Sequence, residues 1–74
     1  MTFSDYAKSK GIELLRDDIK HIKRSLLGYA RHTHKAILQQ YTEAWLKAMA
    51  NEPDPIRKQN AGRRAGNALL TDLY

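Results

Sequence analysis

Asn60, Arg63, Arg64 and Asn67 stand at i, i+3, i+4 and i+7 inside the palindrome NAGRRAGN of residues 60–67. On a helix that spacing puts the four side chains on one face. Arginine pairs bidentately with guanine and asparagine with adenine in the major groove, so the quartet has the chemistry of a base-reading helix. The guanidinium fork binds carboxylates as readily as phosphates, so an acidic protein surface fits the same residues. The two glycines do not make a phosphate-cradling loop: no strand pattern precedes them and no Walker lysine follows. A helix-turn-helix is not evident either, because a proline-rich turn after a long helical pattern replaces the short turn between two short helices.

The remaining positive charge is also set out in blocks. Thirteen Lys and Arg stand against eight Asp and Glu in 74 residues, a formal charge of +5. No acid falls between Asp18 and Glu43, where Lys20, Lys23, Arg24, Arg31 and Lys35 lie with all three histidines. None falls between Asp54 and Asp72, where Arg57, Lys58, Arg63 and Arg64 lie. Two acid-free basic blocks form a better nucleic-acid footprint than net charge alone. The candidate contacts are therefore Lys20, Lys23, Arg24, Arg31 and Lys35 on the central helical segment, and Arg57, Asn60, Arg63, Arg64 and Asn67 on the last. Nucleic acid is the leading partner. The alternative is an inhibitor or adaptor that sets the same arginines against an acidic protein, or uses Tyr41 and Trp45 as anchors if they are exposed. A buried Trp45 would leave the basic faces as the distinctive surface.

Other chemistry finds little footing. In Arg31-His32-Thr33-His34-Lys35 the two imidazoles point about 200° apart on a helix, and there is no cysteine to complete a metal site. Asp17 and Asp18 are adjacent and diverge, Ser25 lacks an evident base, and Glu43 has no paired carboxylate. No catalytic residue, metal or cofactor is expected, and the chain reads as a non-enzyme. No leader-like pattern is apparent and no window approaches the roughly 18 apolar residues of a membrane span, so a cytoplasmic protein without membrane contact is expected.

The elements that must position these residues are helices. Valine is absent and no segment alternates as a half-buried strand would. An all-α single domain over residues 1–74 is predicted: a short N-terminal helix, a long central helix with a kink, and a C-terminal helix folded back as a hairpin. Thr2 and Asp5 resemble a capping box for a first helix carrying Phe3, Tyr6 and Ala7. Gly11 suits a left-handed stop, with Ile12 as the apolar residue beyond it. From Leu14 a stripe of Leu15, Ile19, Ile22, Leu26, Tyr29 and Thr33 opposes Arg16, Lys20, Lys23, Arg24, Arg31 and Lys35. Past residue 35 the stripe becomes Ile37, Leu38, Tyr41, Ala44, Trp45, Ala48 and Met49, rotated by roughly a quarter turn. That rotation predicts a kink or short interruption between Gly28 and His34. Pro53 and Pro55 end this helix, and Asp54 as N-cap with Pro55 in the first turn predicts a last helix over residues 55–73.

On that last helix Ala61, Gly62, Ala65, Ala68, Leu69 and Leu73 share a face, with Gly66 at its margin. Such a shallow surface suits the bulk of Tyr41 and Trp45. The quartet of Asn60, Arg63, Arg64 and Asn67 is then expected to point outward. Leu27, Leu38, Leu46, Met49 and Leu70 lie off the main stripes or at their margins, and together they would favour a homodimer.

Overall fold

In the computed structural model, which describes residues 2–73, four helices follow one another: α1 (Phe3–Ser9), α2 (Arg16–Leu26), α3 (Arg31–Asn51) and α4 (Lys58–Asp72). No strand occurs among the described residues. The α1 boundaries are those the residue types imply. The Thr2 hydroxyl accepts from the Asp5 amide at 3.2 Å, and the Asp5 carboxylate accepts in return from the Thr2 amide. At the other end Gly11 takes φ +83°. The Ile12 amide then donates to the Ala7 carbonyl and the Gly11 amide to that of Lys8, both at 3.0 Å. This is a Schellman closure, whose apolar partners Ala7 and Ile12 are both buried.

The central helix is not continuous. Residues 27–30 separate α2 from α3, so of the expected kink or short interruption it is the interruption that occurs, beginning one residue before Gly28. Ala30 is extended with ψ 149°, and the Tyr29 amide turns back to the Leu26 carbonyl at 3.0 Å. His34, in the first turn of α3, holds the joint: its Nε2 lies 2.9 Å from the Leu26 carbonyl and 3.0 Å from that of Tyr29. Carbonyls only accept, so Nε2 carries the proton. The break lets α2 bury Ile22 beside Asp18 and Ser25 while α3 aims Ile37, Tyr41, Thr42 and Trp45 elsewhere. One bent helix would have to serve both directions with a single stripe.

Helices α3 and α4 form the most extensive interface, and α2 packs on α4. Asp54 does not cap α4. Its carboxylate accepts from the Ile56 amide at 2.9 Å and its carbonyl from the Arg57 amide at 3.0 Å, so it closes a turn. The last helix therefore opens at Lys58, with Arg57 in the N-cap position. The Lys58 ammonium reaches back to the Met49 and Glu52 carbonyls at 2.8 Å each, which satisfies the C-terminal end of α3.

The α3–α4 seam is the small-against-aromatic contact the sequence suggests, with its centre moved. Gly62, Gly66 and Leu70, spaced one turn apart, are the buried positions, whereas Ala68 is exposed and Ala61 and Ala65 only flank the seam. Trp45 and Tyr41 have no exposed surface. A Cβ on Gly62 would stand 2.7 Å from Trp45 Cγ and nearer still to Cδ1 and Nε1, and one on Gly66 would stand 2.7 Å from Tyr41 Cε2. The glycines mark the closest approach because any side chain there would push the helices apart.

Of the five residues that would favour a homodimer, Leu70 is fully buried and Leu38, Leu46 and Met49 pack against the core. Leu27 alone stays outside, at 85% exposure. Four of the five thus pack, wholly or in part, against the chain's own core.

In an open helix, replacing glycine by alanine stabilises by about 1 kcal/mol. At the seam the added methyl has no room, and overpacking of this kind costs about 1–3 kcal/mol. Gly62→Ala and Gly66→Ala are both expected to lower the urea midpoint. A raised midpoint for Gly62→Ala would mean that α3 and α4 stand farther apart than described.

Candidate nucleic-acid interface

The four residues of the palindromic stretch do not form one outward face. Arg63 turns inward, with 19% of its side chain exposed, and its Nε donates to Asp18 Oδ2 at 2.7 Å. Its Nη1 donates to Asn60 Oδ1 at 2.8 Å and its Nη2 to the Glu13 carbonyl at 2.9 Å. The guanidinium carbon lies 5.3 Å from the centroid of the Trp45 ring, within cation–π range. Asn67 is half-buried, and its Oδ1 is buried with no hydrogen-bond partner among the described residues. Asn60 and Arg64 are exposed. The expectation of an outward quartet is corrected because Gly62 draws α4 so close to α3 that its neighbour Arg63 lies over the indole and meets α2.

Asp18 is the other half of this arrangement, only 3% exposed. The same Oδ2 that takes Arg63 accepts from the Leu15 amide at 2.9 Å, which caps the start of α2 where Leu15 offers no side-chain acceptor. Gln59, one turn before Arg63, ties down the preceding segment. Its Oε1 accepts from the Glu13 amide at 3.0 Å and from Trp45 Nε1 at 3.2 Å, and its Nε2 donates to the Gly11 carbonyl at 2.7 Å. Neither role was anticipated from the chain. The signal present was Asp18 itself, a lone carboxylate in register with Ile22 and Ser25 on the apolar side of α2.

The other candidate cations remain outside. Lys20, Lys23 and Arg24 are exposed on one side of α2, and Arg16 extends that side. Arg31 and Lys35 are exposed at the start of α3, Arg57 in the turn that leads into α4, and Arg64 on α4 itself. Arg57 pairs with Asp54 at 3.6 Å in an exposed contact, the kind that contributes about 0–1 kcal/mol. Lys20, Lys23, Arg31, Lys35 and Arg64 make no ion pair among the described residues. The internal Asp18–Arg63 pair removes one charge of each sign, so the exterior keeps the whole excess of +5. Trp45 and Tyr41 are fully buried and cannot anchor a partner. His32 is exposed and His34 is engaged with backbone carbonyls. No group of three His, Asp or Glu side chains able to hold a metal occurs among the described residues. No described helix is long and apolar enough to cross a membrane.

Among the described residues Tyr41 is the one titratable group with a large displacement. Burial first, and the negative charge of Asp18 second, hold its phenol proton well above the ordinary range, while Arg63 pulls the other way. Its hydroxyl has no hydrogen-bond partner among the described residues.

Comparison with protein-family models, with curated proteins and with solved structures found no match. The functional reading therefore rests on this chain's own residues.

Arg63→Ala leaves Asp18 buried without its cation, a change that costs about 3–5 kcal/mol. A domain of this length has roughly 4–11 kcal/mol in total, so chemical denaturation should find this variant close to unfolding. Arg64→Ala is expected to stay within about 0.5 kcal/mol of the parent. Adding Asp18→Ala to Arg63→Ala should cost less than the sum of the single changes, because the second substitution removes the stranded charge.

The Tyr41 displacement gives a second expectation. The folded state binds the phenol proton more tightly than the unfolded chain, so its contribution is complete below the unfolded pKa of about 10 and is lost as pH rises beyond it. The slope approaches about 1.4 kcal/mol per pH unit. Tyr41→Phe should flatten this alkaline limb in urea titrations, and at neutral pH it should be neutral or stabilising because the lost hydroxyl is unpartnered. Equal alkaline limbs in the two proteins would contradict the placement of Tyr41.

Proposed function

We propose that this chain is a non-catalytic binding module that holds nucleic acid through Lys20, Lys23 and Arg24 on α2, Arg31 and Lys35 on α3, Arg57 at the N-cap of α4 and Arg64 on α4. The observation that carries the reading is the sorting of charge. Asp18 is sequestered with Arg63 and Lys58 is engaged with the end of α3, whereas the other lysines and arginines of the two acid-free blocks stay exposed. Counterion release from a phosphate backbone rewards such a distribution without demanding a base-reading geometry. Arg63 and Asn67 drop out of the contact set, because the fold already engages or covers them. The acidic-protein alternative loses its aromatic anchors, since Trp45 and Tyr41 are buried.

Binding to short duplex and single-stranded DNA, followed by anisotropy across a salt series, tests the proposal. Affinity should fall linearly on a log–log plot, and each phosphate-contacting cation removed should make the slope shallower by about 0.7–0.9. Lys20→Ala with Lys23→Ala, and Arg64→Ala, should each show this at unchanged thermal stability. Absence of binding at low salt, or a flat salt response, sinks the nucleic-acid reading. A stoichiometric protein partner retained from lysate after nuclease treatment would favour the adaptor.

A further inference from the structure

The basic residues at the start of α3 do not face plain solvent. Arg31 and Lys35 border a groove of about 790 Å³ between α1 and α3, whose floor includes Phe3, Tyr6 and Leu38. A second hollow of about 460 Å³ shares Phe3 and Leu38 with it and carries Lys23 on its α2 side. The two hollows adjoin at these shared residues, and cations of the acid-free block border both. Three of the exposed cations assigned to nucleic acid on charge grounds thus border two adjoining hollows that share the Phe3 ring.

Those rings are held in place from beneath. The Phe3 ring meets Tyr41 edge-on at 6.3 Å, which fixes it to the core, and Tyr6 lies 6.4 Å from Phe3 at a 35° tilt. Tyr6 is 38% exposed, and the Lys10 ammonium lies 5.7 Å from its ring centroid. The closest acid on α1, Asp5, is engaged with the Thr2 amide and does not line either hollow. His34 borders the larger hollow while its Nε2 holds the Leu26 and Tyr29 carbonyls, so that wall is braced by the break between α2 and α3.

Aromatic rings in a cationic groove are the arrangement by which proteins hold unpaired bases: the base stacks on a ring while flanking phosphates meet Lys and Arg. In a duplex the base faces are already covered by their neighbours. Only an unstacked base can enter. We infer that the α1–α3 groove is a stacking site for single-stranded nucleic acid, with a base on the Tyr6–Phe3 pair and the backbone crossing from Arg31 and Lys35 toward Lys23. This inference rests on the nucleic-acid reading above and adds strand selectivity and a defined site to it.

The test compares a labelled oligothymidine of about 12 nucleotides, within the range of single-strand site sizes, with a duplex of equal length, using the full chain. The single strand should bind more tightly at equal salt. Loss of one stacking contact should weaken it about 5- to 150-fold in Tyr6→Ala, with duplex affinity unchanged. Tyr6→Leu keeps the apolar packing of α1 and removes only the ring, so it should show the same selective loss at an unchanged thermal midpoint. A folded Tyr6→Leu with parental single-strand affinity overturns the stacking site. So does equal binding of duplex and single strand that is insensitive to Tyr6, although the electrostatic reading then survives. Binding of neither nucleic acid at low salt overturns both. Displacement of oligothymidine from the groove by an uncharged Leu-rich peptide, with no effect from a Glu-rich one, would likewise overturn it, because an apolar rather than an anionic occupant would then be recognised.

Discussion

The approach of α4 to α3 at Gly62 and Gly66 is the constraint on which the remaining geometry depends. With no side chain at either position, the helix backbone rests directly on the indole of Trp45 and the phenol ring of Tyr41. That proximity places Arg63 over the indole and within reach of Asp18, and it places Gln59 against the segment between α1 and α2. Gly11, Glu13 and Leu15 lie in or beside a stretch with no helix of its own, and their polar backbone groups need partners. They find them on Gln59, Arg63 and Asp18. One close contact thereby joins all four helical segments.

The buried pair illustrates why an ion pair in a small core is a matter of geometry more than of gain. Taking both charges out of water is unfavourable, and their attraction offsets this only when the remaining donors and acceptors are matched. Here Arg63 uses Nε, Nη1 and Nη2 on three separate acceptors, and Asp18 Oδ2 accepts from both Arg63 and the Leu15 amide. The pair also fixes α2 relative to α4, which sets where Lys20, Lys23 and Arg24 stand. A surface made of mobile side chains thus sits on a rigid frame. Its charge is not diluted by the most central acid of the chain, because that acid faces inward.

Much of the architecture was legible in short-range patterns. The Thr2–Asp5 box, the Gly11 stop and the helix-ending prolines act within a few residues, so their physics is complete in the local sequence. The rotated apolar stripe also announced the discontinuity near Gly28 but left a kink and a short interruption as alternatives, because His34 capping Leu26 and Tyr29 is a contact across the joint. The position of the last helix was misread at its start for a similar reason: Asp54 closes a turn, and Lys58 instead reaches the end of α3. The small-residue seam was visible as composition, but its centre moved from the alanines to Gly62, Gly66 and Leu70 once the closest approach was defined.

By itself, then, the sequence determined that the chain is helical, where most segments start and stop, which residues are small enough to meet Tyr41 and Trp45, and that the charge excess comes in two blocks. Those properties follow from backbone propensity, helical periodicity and charge counting, all of which are local or additive. Tertiary structure decided which arginine belongs to the fold and which to the surface. Arg63 and Arg64 are indistinguishable as neighbours in the chain, yet 100° of helical rotation puts one against Asp18 and Trp45 and the other in water. It also decided that Arg31, Lys35 and Lys23 border hollows containing Phe3 and Tyr6, because side chains far apart in sequence meet only where helices pack.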